Sequence, residues 1–266
     1  KIPFITTLHG TDITLVGKDP SFEPVINFSI NHSNMVTAVS ESLKKETHEL
    51  FDIKKEIKVI PNFICLNEYK LDNNEFYKKR FAPNNEKIIC HVSNFRKVKR
   101  IEDVLTTFEE ISKKIEVKLI LVGDGPERPR LEKISRKSDF KENIFFLGSL
   151  KSTKEVLNIS DLFILPSSKE SFGLSALEAM ACSVPVIASN SGGIPEVVIH
   201  EESGLLNDVG DTNQMTINAL KILSNNDTLE KFKSNALIQA KSFDIEIILP
   251  RYENLYRECV NYYLSN

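Results

Sequence analysis

Two glutamates eight positions apart, Glu170 and Glu178, are the residues whose type and spacing point most directly to ligand chemistry. They lie just past an apolar run that predicts a buried strand, and a predicted helix begins between them. The backbone N–H groups of Gly173, Leu174 and Ser175 would open that helix and favour an anion. A carboxylate at such a turn suits hydroxyl groups rather than the anion. The pattern therefore predicts sugar hydroxyls at Glu170, a diphosphate at the helix start and a ribose at Glu178.

A second candidate for ligand binding is the basic segment Arg96-Lys97-Val98-Lys99-Arg100, which follows a predicted strand at 88–92. Negative charge grows on a phosphate leaving group as its bond breaks, and fixed cations stabilise that charge. The three-residue spacing of Arg96 and Lys99 could place both on one side of a turn. A solvated basic helix start is the alternative interpretation, as a solvated charge is for a single glutamate.

The predicted elements alternate between strand and helix, with strands at 4–8, 36–39, 57–60, 88–92, 117–122, 144–147, 162–165 and 185–188. The predicted helices lie at 22–31, 41–51, 101–115, 128–138, 153–159, 174–182 and 245–264, with Ser40 as the cap of the second and Pro250 as a kink or break in the last. Apolar strands that alternate with helices indicate doubly wound parallel sheets, in which ligands bind at the carboxyl ends of strands. The polar stretch at 67–85 is the predicted interdomain linker.

Bulk properties narrow the class of protein further. The chain has 266 residues, 41% hydrophobic and 27% charged, with a net charge of −3 that argues against general nucleic-acid binding. Its four cysteines lack the C-x-x-C spacing of metal sites and are expected to be reduced thiols of a cytoplasmic protein. No apolar run approaches the ~18 residues that a membrane span needs.

Several strings place the chain near a known family, namely the E-x7-E pattern, residues 6–14, 59–64, 91–100, 122–126 and 178–182. Together they resemble the retaining glycosyltransferases of family 4, whose GT-B fold has two Rossmann-like domains. The likeness covers residues 1 to about 260. HGTDIT and SNFRKVKR are most similar to the members that glycosylate L-malate.

The resemblance implies a domain division and an activity. Residues 1–66 would be the C-terminal part of an N-terminal, acceptor-side domain, 67–244 the complete nucleotide-sugar-binding domain, and 245–266 a helix that returns toward the first domain. About a hundred residues of the family, roughly one small domain, would precede this chain. The implied reaction moves N-acetylglucosamine from UDP-GlcNAc to L-malate and makes the first intermediate of bacillithiol.

The resemblance also assigns roles to individual residues. Arg96 and Lys99 would bind the diphosphate, although many relatives have their Arg at the position of Asn94. His9 would contact the transferred sugar, and Thr11 would face the acceptor. The other expected nucleotide-sugar contacts are Asn94, Gly123, Leu150 and Phe172, with Leu150 at the uracil edge, while Glu196 would brace its own turn.

No cofactor and no metal are expected, because the chain lacks the Asp-x-Asp pair that carries Mg²⁺ or Mn²⁺ in the other large glycosyltransferase fold. Gly123-Asp124-Gly125-Pro126 lacks the third glycine of a dinucleotide fingerprint.

Three alternatives stay open at this point. One is a family 4 enzyme with a lipid-linked or capsule acceptor, and another is a UDP-GlcNAc 2-epimerase, whose motifs this chain does not resemble. The third is a catalytically incomplete nucleotide-sugar-binding fragment. The sequence leaves the oligomeric state undecided and is compatible with a homo-oligomer.

Overall fold

The computed structural model describes residues 2–14, 19–69 and 74–264 and contains two parallel sheets in these ranges. The first sheet has the order β1-β2-β3, and the second has six strands in the order β6-β5-β4-β7-β8-β9. The strands are β1 Ile5–Leu8, β2 Met35–Ala38, β3 Ile57–Val59, β4 Lys87–Val92, β5 Val117–Val122, β6 Ile144–Gly148, β7 Leu162–Leu165, β8 Val186–Ser189 and β9 Gly204–Asn207.

Helices connect these strands and cover the sheets. They are α1 Thr11–Thr14, α2 Glu23–His32, α3 Glu41–Leu50, α4 Glu75–Lys79, α5 Ile101–Ser112, α6 Arg128–Ser135, α7 Lys154–Asn158, α8 Leu174–Ala181, α9 Ile194–Val197, α10 Thr212–Leu223, α11 Asn226–Lys241 and α12 Ile245–Leu264. As predicted, Ser40 caps α3, because its hydroxyl accepts the N–H of Leu43 at 3.0 Å.

Apolar residues on both faces of its strands bury the six-stranded sheet. Ile89 joins a core with α5 and α10 on one face, while its neighbour Ile88 joins a core with α8 on the other. The core that contains Ile88 extends to the first sheet, where it includes Leu8 and Val36. This two-sided burial explains why the strands read as continuous apolar runs, and it confirms the predicted parallel α/β class.

The last helix, α12, packs against the three-stranded sheet. Ile248 and Leu255 share a small core with Ile60, and the Lys58 ammonium lies 2.6 Å from the Glu258 carboxylate. The division at 66/67 and 244/245 stays a prediction. The helix α12 runs through Pro250, so a break there is wrong, while the alternative of a kink stays a prediction. Pro250 lies in the exposed, amino-terminal part of the helix, where water can satisfy the carbonyl group that loses its N–H partner.

Other differences from the prediction lie where the sequence is polar. The stretch predicted as a linker contains α4, although its positions 70–73 lie outside the described residues. The 16-residue helix α11 was not predicted, and it packs on α8 through Ala236 and Ala240. Its exposed positions are mostly polar, so only a narrow apolar stripe marked it as a helix.

Candidate active site

The loops that follow β4 and β7 meet at the point where the six-stranded sheet reverses its strand order. Successive connections leave these neighbouring strands in opposite directions, which opens a crevice at their carboxyl ends. The first loop carries Lys99 and the second carries Glu170. The Lys99 ammonium lies 2.5 Å from the Glu170 carboxylate, and the two side chains are only 19% and 12% exposed. Two predicted site residues thus form one partly buried ion pair.

Short contacts hold the Glu170 loop in place. The buried hydroxyl of Ser167 donates to the Glu170 carboxylate at 3.0 Å. The backbone N–H of Ser168 donates to the Val98 carbonyl at 2.9 Å, which joins the two loops. At Gly192, a Cβ would lie 1.9 Å from the Glu170 carbonyl oxygen. Only glycine therefore allows the turn after β8 to approach this loop so closely.

The start of α8 offers free backbone donors beside this pair. Gly173 adopts a left-handed conformation with φ of 96°, and its carbonyl accepts the first helical N–H groups, those of Ala176 and Leu177. The N–H groups of Leu174 and Ser175 lie in the first turn, where an α-helix has no internal acceptor for them. The turn therefore has the donors that the predicted anion site requires, and the site itself stays a prediction.

The Phe172 side chain belongs to the core rather than to the site surface. Its ring is 2% exposed and packs edge-on against Phe243, with ring centroids 5.7 Å apart. Any contribution of Phe172 to ligand binding is therefore restricted to its backbone. The Phe172 ring thus fixes the loop to the core, a role that the sequence motif did not indicate.

Glu178 lies one helical turn after Leu174 and is partly exposed. Its carboxylate accepts the hydroxyl of Thr153 at 3.3 Å, and the Tyr69 phenol lies close to it. Burial raises the pKa of the Glu178 carboxyl, although the hydroxyl groups of Tyr69 and Thr153 oppose that rise. Burial and the neighbouring Glu178 charge raise the pKa of the Tyr69 phenol. Sequence reasoning missed Tyr69 and Thr153, which carry no motif.

His91 is a buried neighbour of the ion pair that sequence reasoning also missed. Its Nδ1–H donates to the Ile164 carbonyl at 2.8 Å, so Nε2 accepts from the Ser93 hydroxyl at 2.7 Å. Desolvation, with a smaller effect of the Lys99 charge, lowers the pKa of His91 to about 4. The ring is therefore neutral at physiological pH and ties β4 to β7.

The Arg96 carbonyl accepts the backbone N–H of Lys99 at 2.9 Å, but no described contact joins the Arg96 side chain to the side chains of Lys99 or Glu170. Arg96 is exposed and lines a cavity of about 390 Å³ together with Arg100, just before α5, and Arg130 on α6. Asn94 is also exposed, and its carbonyl accepts the N–H of Arg96 at 2.8 Å. Their predicted roles stay predictions.

Gly123 and Leu150 lie at the ends of neighbouring strands. Gly123 has φ of 134°, and a Cβ there would lie 1.8 Å from the Ser93 carbonyl oxygen. It therefore permits a close approach of two backbones. Leu150 follows β6 and is 39% exposed, so its side chain is open to a ligand.

His9 and Thr11 lie at the end of β1, and both are exposed. The His9 carbonyl accepts the hydroxyl of Ser171 at 2.6 Å, which brings the end of β1 next to the Glu170 loop. Thr11 opens the short helix α1.

Glu196 braces a different element from the one expected. Its carboxylate accepts the backbone N–H groups of Glu41 and Ser42, at 2.9 Å each. It thereby caps α3, 155 and 154 positions away in sequence, rather than its own turn.

Comparison with known proteins gives the family of the chain. The family model described as "Glycosyl transferases group 1" matches residues 72–239, and the model "Glycosyltransferase Family 4" matches residues 1–68. The chain is 43% identical over 258 residues to the N-acetyl-alpha-D-glucosaminyl L-malate synthase of Bacillus anthracis, a match that covers 96% of this chain and 68% of that protein. The chain belongs to the family 4 glycosyltransferases.

Solved structures place this family 4 glycosyltransferase in the GT-B fold. The sucrose-phosphate synthase of Thermosynechococcus elongatus superposes with a TM-score of 0.86 at 23% identity, covering 98% of this chain and 69% of that one. Anabaena Alr3699/HepE in complex with UDP and glucose superposes with a TM-score of 0.82 at 23% identity, covering 96% and 71%. Both confirm the predicted fold.

Two negative observations apply to the described parts of the family 4 chain. None of the helices there is both long and apolar enough to cross a lipid bilayer. Within the same ranges, no three His, Cys, Asp or Glu side chains are grouped as metal ligands.

Proposed function

We propose that this chain is the donor-binding part of an enzyme that transfers N-acetylglucosamine from UDP-GlcNAc to the hydroxyl of L-malate. The observation that carries the proposal is the 43% identity, over 96% of the chain, to the Bacillus anthracis enzyme whose name states that product. The chain spans 68% of that enzyme, so the proposal concerns the whole protein. Its product would be the first intermediate of bacillithiol.

The donor is laid across the start of α8. Lys99 and the N–H groups of Leu174 and Ser175 bind the diphosphate, because a cation and free helix donors together suit an anion. Glu170 accepts hydrogen bonds from the sugar hydroxyls, and Glu178 accepts them from the ribose. Support for this orientation comes from the Lys99–Glu170 contact, which puts the two partners of phosphate and sugar side by side.

The resting ion pair has a consequence for donor binding. Lys99 and Glu170 neutralise each other at 2.5 Å before donor enters, so neither charge is left unpaired in the crevice. When the donor enters, its diphosphate replaces Glu170 as the partner of the Lys99 ammonium. The sugar hydroxyls then donate to the carboxylate oxygen of Glu170 that Lys99 has left. The Ser167 hydroxyl, at 3.0 Å, keeps the carboxylate oriented during the exchange.

The transfer proceeds with retention at the anomeric carbon. The bond from that carbon to the diphosphate breaks, and the malate hydroxyl oxygen forms its new bond on the same face. The hydroxyl proton passes to the leaving phosphate oxygen, so no enzyme carboxylate acts as nucleophile. Lys99 and the α8 donors stabilise the negative charge that grows on the phosphate.

We infer that Lys99 and these N–H groups stabilise the leaving diphosphate in place of a metal ion, so the reaction needs neither metal nor cofactor. We also infer that the enzyme acts in the cytoplasm. Cys65, Cys90, Cys182 and Cys259 are all free thiols, which is typical of a reducing compartment.

The test is UDP release by the full-length protein with UDP-GlcNAc, with and without L-malate, in EDTA. We expect release that requires malate, survives EDTA and falls about 100-fold or more in Glu170→Ala, as when a group that acts in the transition state is removed. Glu49→Ala, which removes an exposed carboxylate paired with Lys45, is the matched control and should leave the rate unchanged. Release that ignores malate would refute the acceptor and leave a glycosyltransferase with another substrate.

A further inference from the structure

Ser171 joins the donor loop to the first sheet through both its side chain and its backbone. Its hydroxyl donates to the His9 carbonyl at 2.6 Å, at the end of β1. Its own carbonyl accepts the hydroxyl of Ser40 at 2.6 Å, at the junction of β2 and α3. Ser40 is fully buried and caps α3 at the same time, so this contact point is itself rigid. One residue thus contacts two elements of the other sheet.

Two glycines leave Ser171 little room to move, one beside its side chain and one beside its carbonyl group. A Cβ on Gly10 would lie 2.5 Å from both Cβ and Oγ of Ser171. On the opposite side, a Cβ on Gly193 would lie 2.3 Å from the Ser171 carbonyl oxygen. The loop therefore packs tightly between the turns that follow β1 and β8. The Ser171 hydroxyl occupies the space that a side chain at position 10 would need.

Other contacts hold the two sheets together without passing through Ser171. Glu196 caps α3 with two hydrogen bonds, and Lys169 forms an ion pair with Glu46 on the same helix. Loss of the Ser171 hydroxyl therefore leaves the two parts attached. What it removes is the fixed separation between His9 and the loop that carries Glu170.

We propose that Ser171 is a positioning residue for the transfer reaction, because its hydroxyl sets the distance between Glu170 and the end of β1. This inference rests on the proposed function, in which Glu170 holds the sugar hydroxyls, and on the sequence-based prediction that His9 contacts the transferred sugar. The donor diphosphate is held elsewhere, by Lys99 and the start of α8. Ser171 therefore affects the alignment of the sugar with the acceptor more than the affinity for the donor.

The experiment compares the full-length wild type with Ser171→Ala, Ser171→Thr and Ser191→Ala. Ser191 is the matched control, because its hydroxyl donates to the Ser168 carbonyl at 2.8 Å without reaching the first sheet. In Ser171→Ala we expect kcat to fall about tenfold while KM for the donor changes less than about twofold, since misalignment acts on the transition state. The share of donor hydrolysed by water instead of transferred should rise. Ser171→Thr keeps the hydroxyl and should restore most of kcat, and Ser191→Ala should match the wild type.

Three results would overturn the proposal: an unchanged kcat and hydrolysis share in Ser171→Ala, equal losses in the Ala and Thr variants, or an equal loss in Ser191→Ala. Hydrogen exchange over residues 9–14 with UDP bound separates this failure from failure of the proposed function. Exchange at residues 9–14 that is faster in Ser171→Ala than in the other proteins supports the Ser171–His9 contact, even if UDP release by the wild type does not depend on malate. Exchange equal to that of the wild type contradicts it whatever the acceptor.

Discussion

Replacing Lys99 by Met removes the cation from an ion pair whose two side chains are only 19% and 12% exposed. The Glu170 carboxylate would then have the Ser167 hydroxyl as its remaining described side-chain partner. Breaking a buried pair on one side costs about 3–5 kcal/mol, whereas an exposed pair contributes about 0–1 kcal/mol. Because this pair is mostly but not fully shielded from water, we expect a coupling of about 2 kcal/mol in the free energy of unfolding.

A double-mutant cycle with Lys99→Met, Glu170→Gln and both changes together measures that coupling by thermal unfolding. A coupling of about 2 kcal/mol corresponds to about 4–8 °C in Tm for a chain of this size. The double variant should therefore be more stable than the sum of the two single losses predicts. Saturating UDP should stabilise the wild type by mass action and stabilise Lys99→Met clearly less.

Lys97→Met is the matched control for this cycle, because Lys97 is exposed on the same turn. It should change neither Tm nor the stabilisation by UDP. Strictly additive losses of Lys99→Met and Glu170→Gln would show that the ion pair contributes nothing to stability. Equal stabilisation by UDP in the wild type and in Lys99→Met would refute the assignment of Lys99 to the diphosphate.

Three further predictions concern single residues. Burial raises the pKa of the Glu178 carboxyl, so the affinity for UDP should fall as the pH decreases toward that pKa. In calorimetric titrations, Glu178→Gln should bind UDP about tenfold more weakly, which is roughly the loss of one hydrogen bond to a charged group. The same variant should lose the pH dependence of UDP binding. Glu196→Ala frees the N–H groups of Glu41 and Ser42 and should destabilise the protein by about 1 kcal/mol in urea unfolding, whereas Glu196→Gln should lose less. The pKa of His91 in the folded protein is lowered to about 4, so between about pH 6.5 and 4 only the unfolded chain binds this proton. The free energy of unfolding should therefore decrease as the pH is lowered from about 6.5 to 4, and this pH dependence should be weaker in His91→Gln.

The sequence sufficed for the fold class and for placing Lys99 and Glu170 at one edge of the sheet. Continuous apolar strands alternating with helices can bury both faces only in a parallel sheet, so that part was predictable. Lys99 and Glu170 could be placed at one edge because each follows a strand. Their direct contact, across 71 positions, could not be foreseen, since it depends on β4 and β7 being neighbours in the sheet.

Residues without a motif account for most of what was missed. The Ser171–His9 contact spans 162 positions, and Glu196 caps a helix 155 positions earlier. Tyr69 lies close to Glu178, although it belongs to the polar stretch that was predicted as a linker. Such contacts arise from how the two sheets dock, which periodicity along one strand or helix does not encode.

UDP release by the full-length protein from UDP-GlcNAc, compared with and without L-malate in EDTA, tests the central claim most directly. The account predicts release that depends on malate, withstands the chelator and nearly disappears in Glu170→Ala. Release that is the same without malate, or that stops in EDTA, would contradict it.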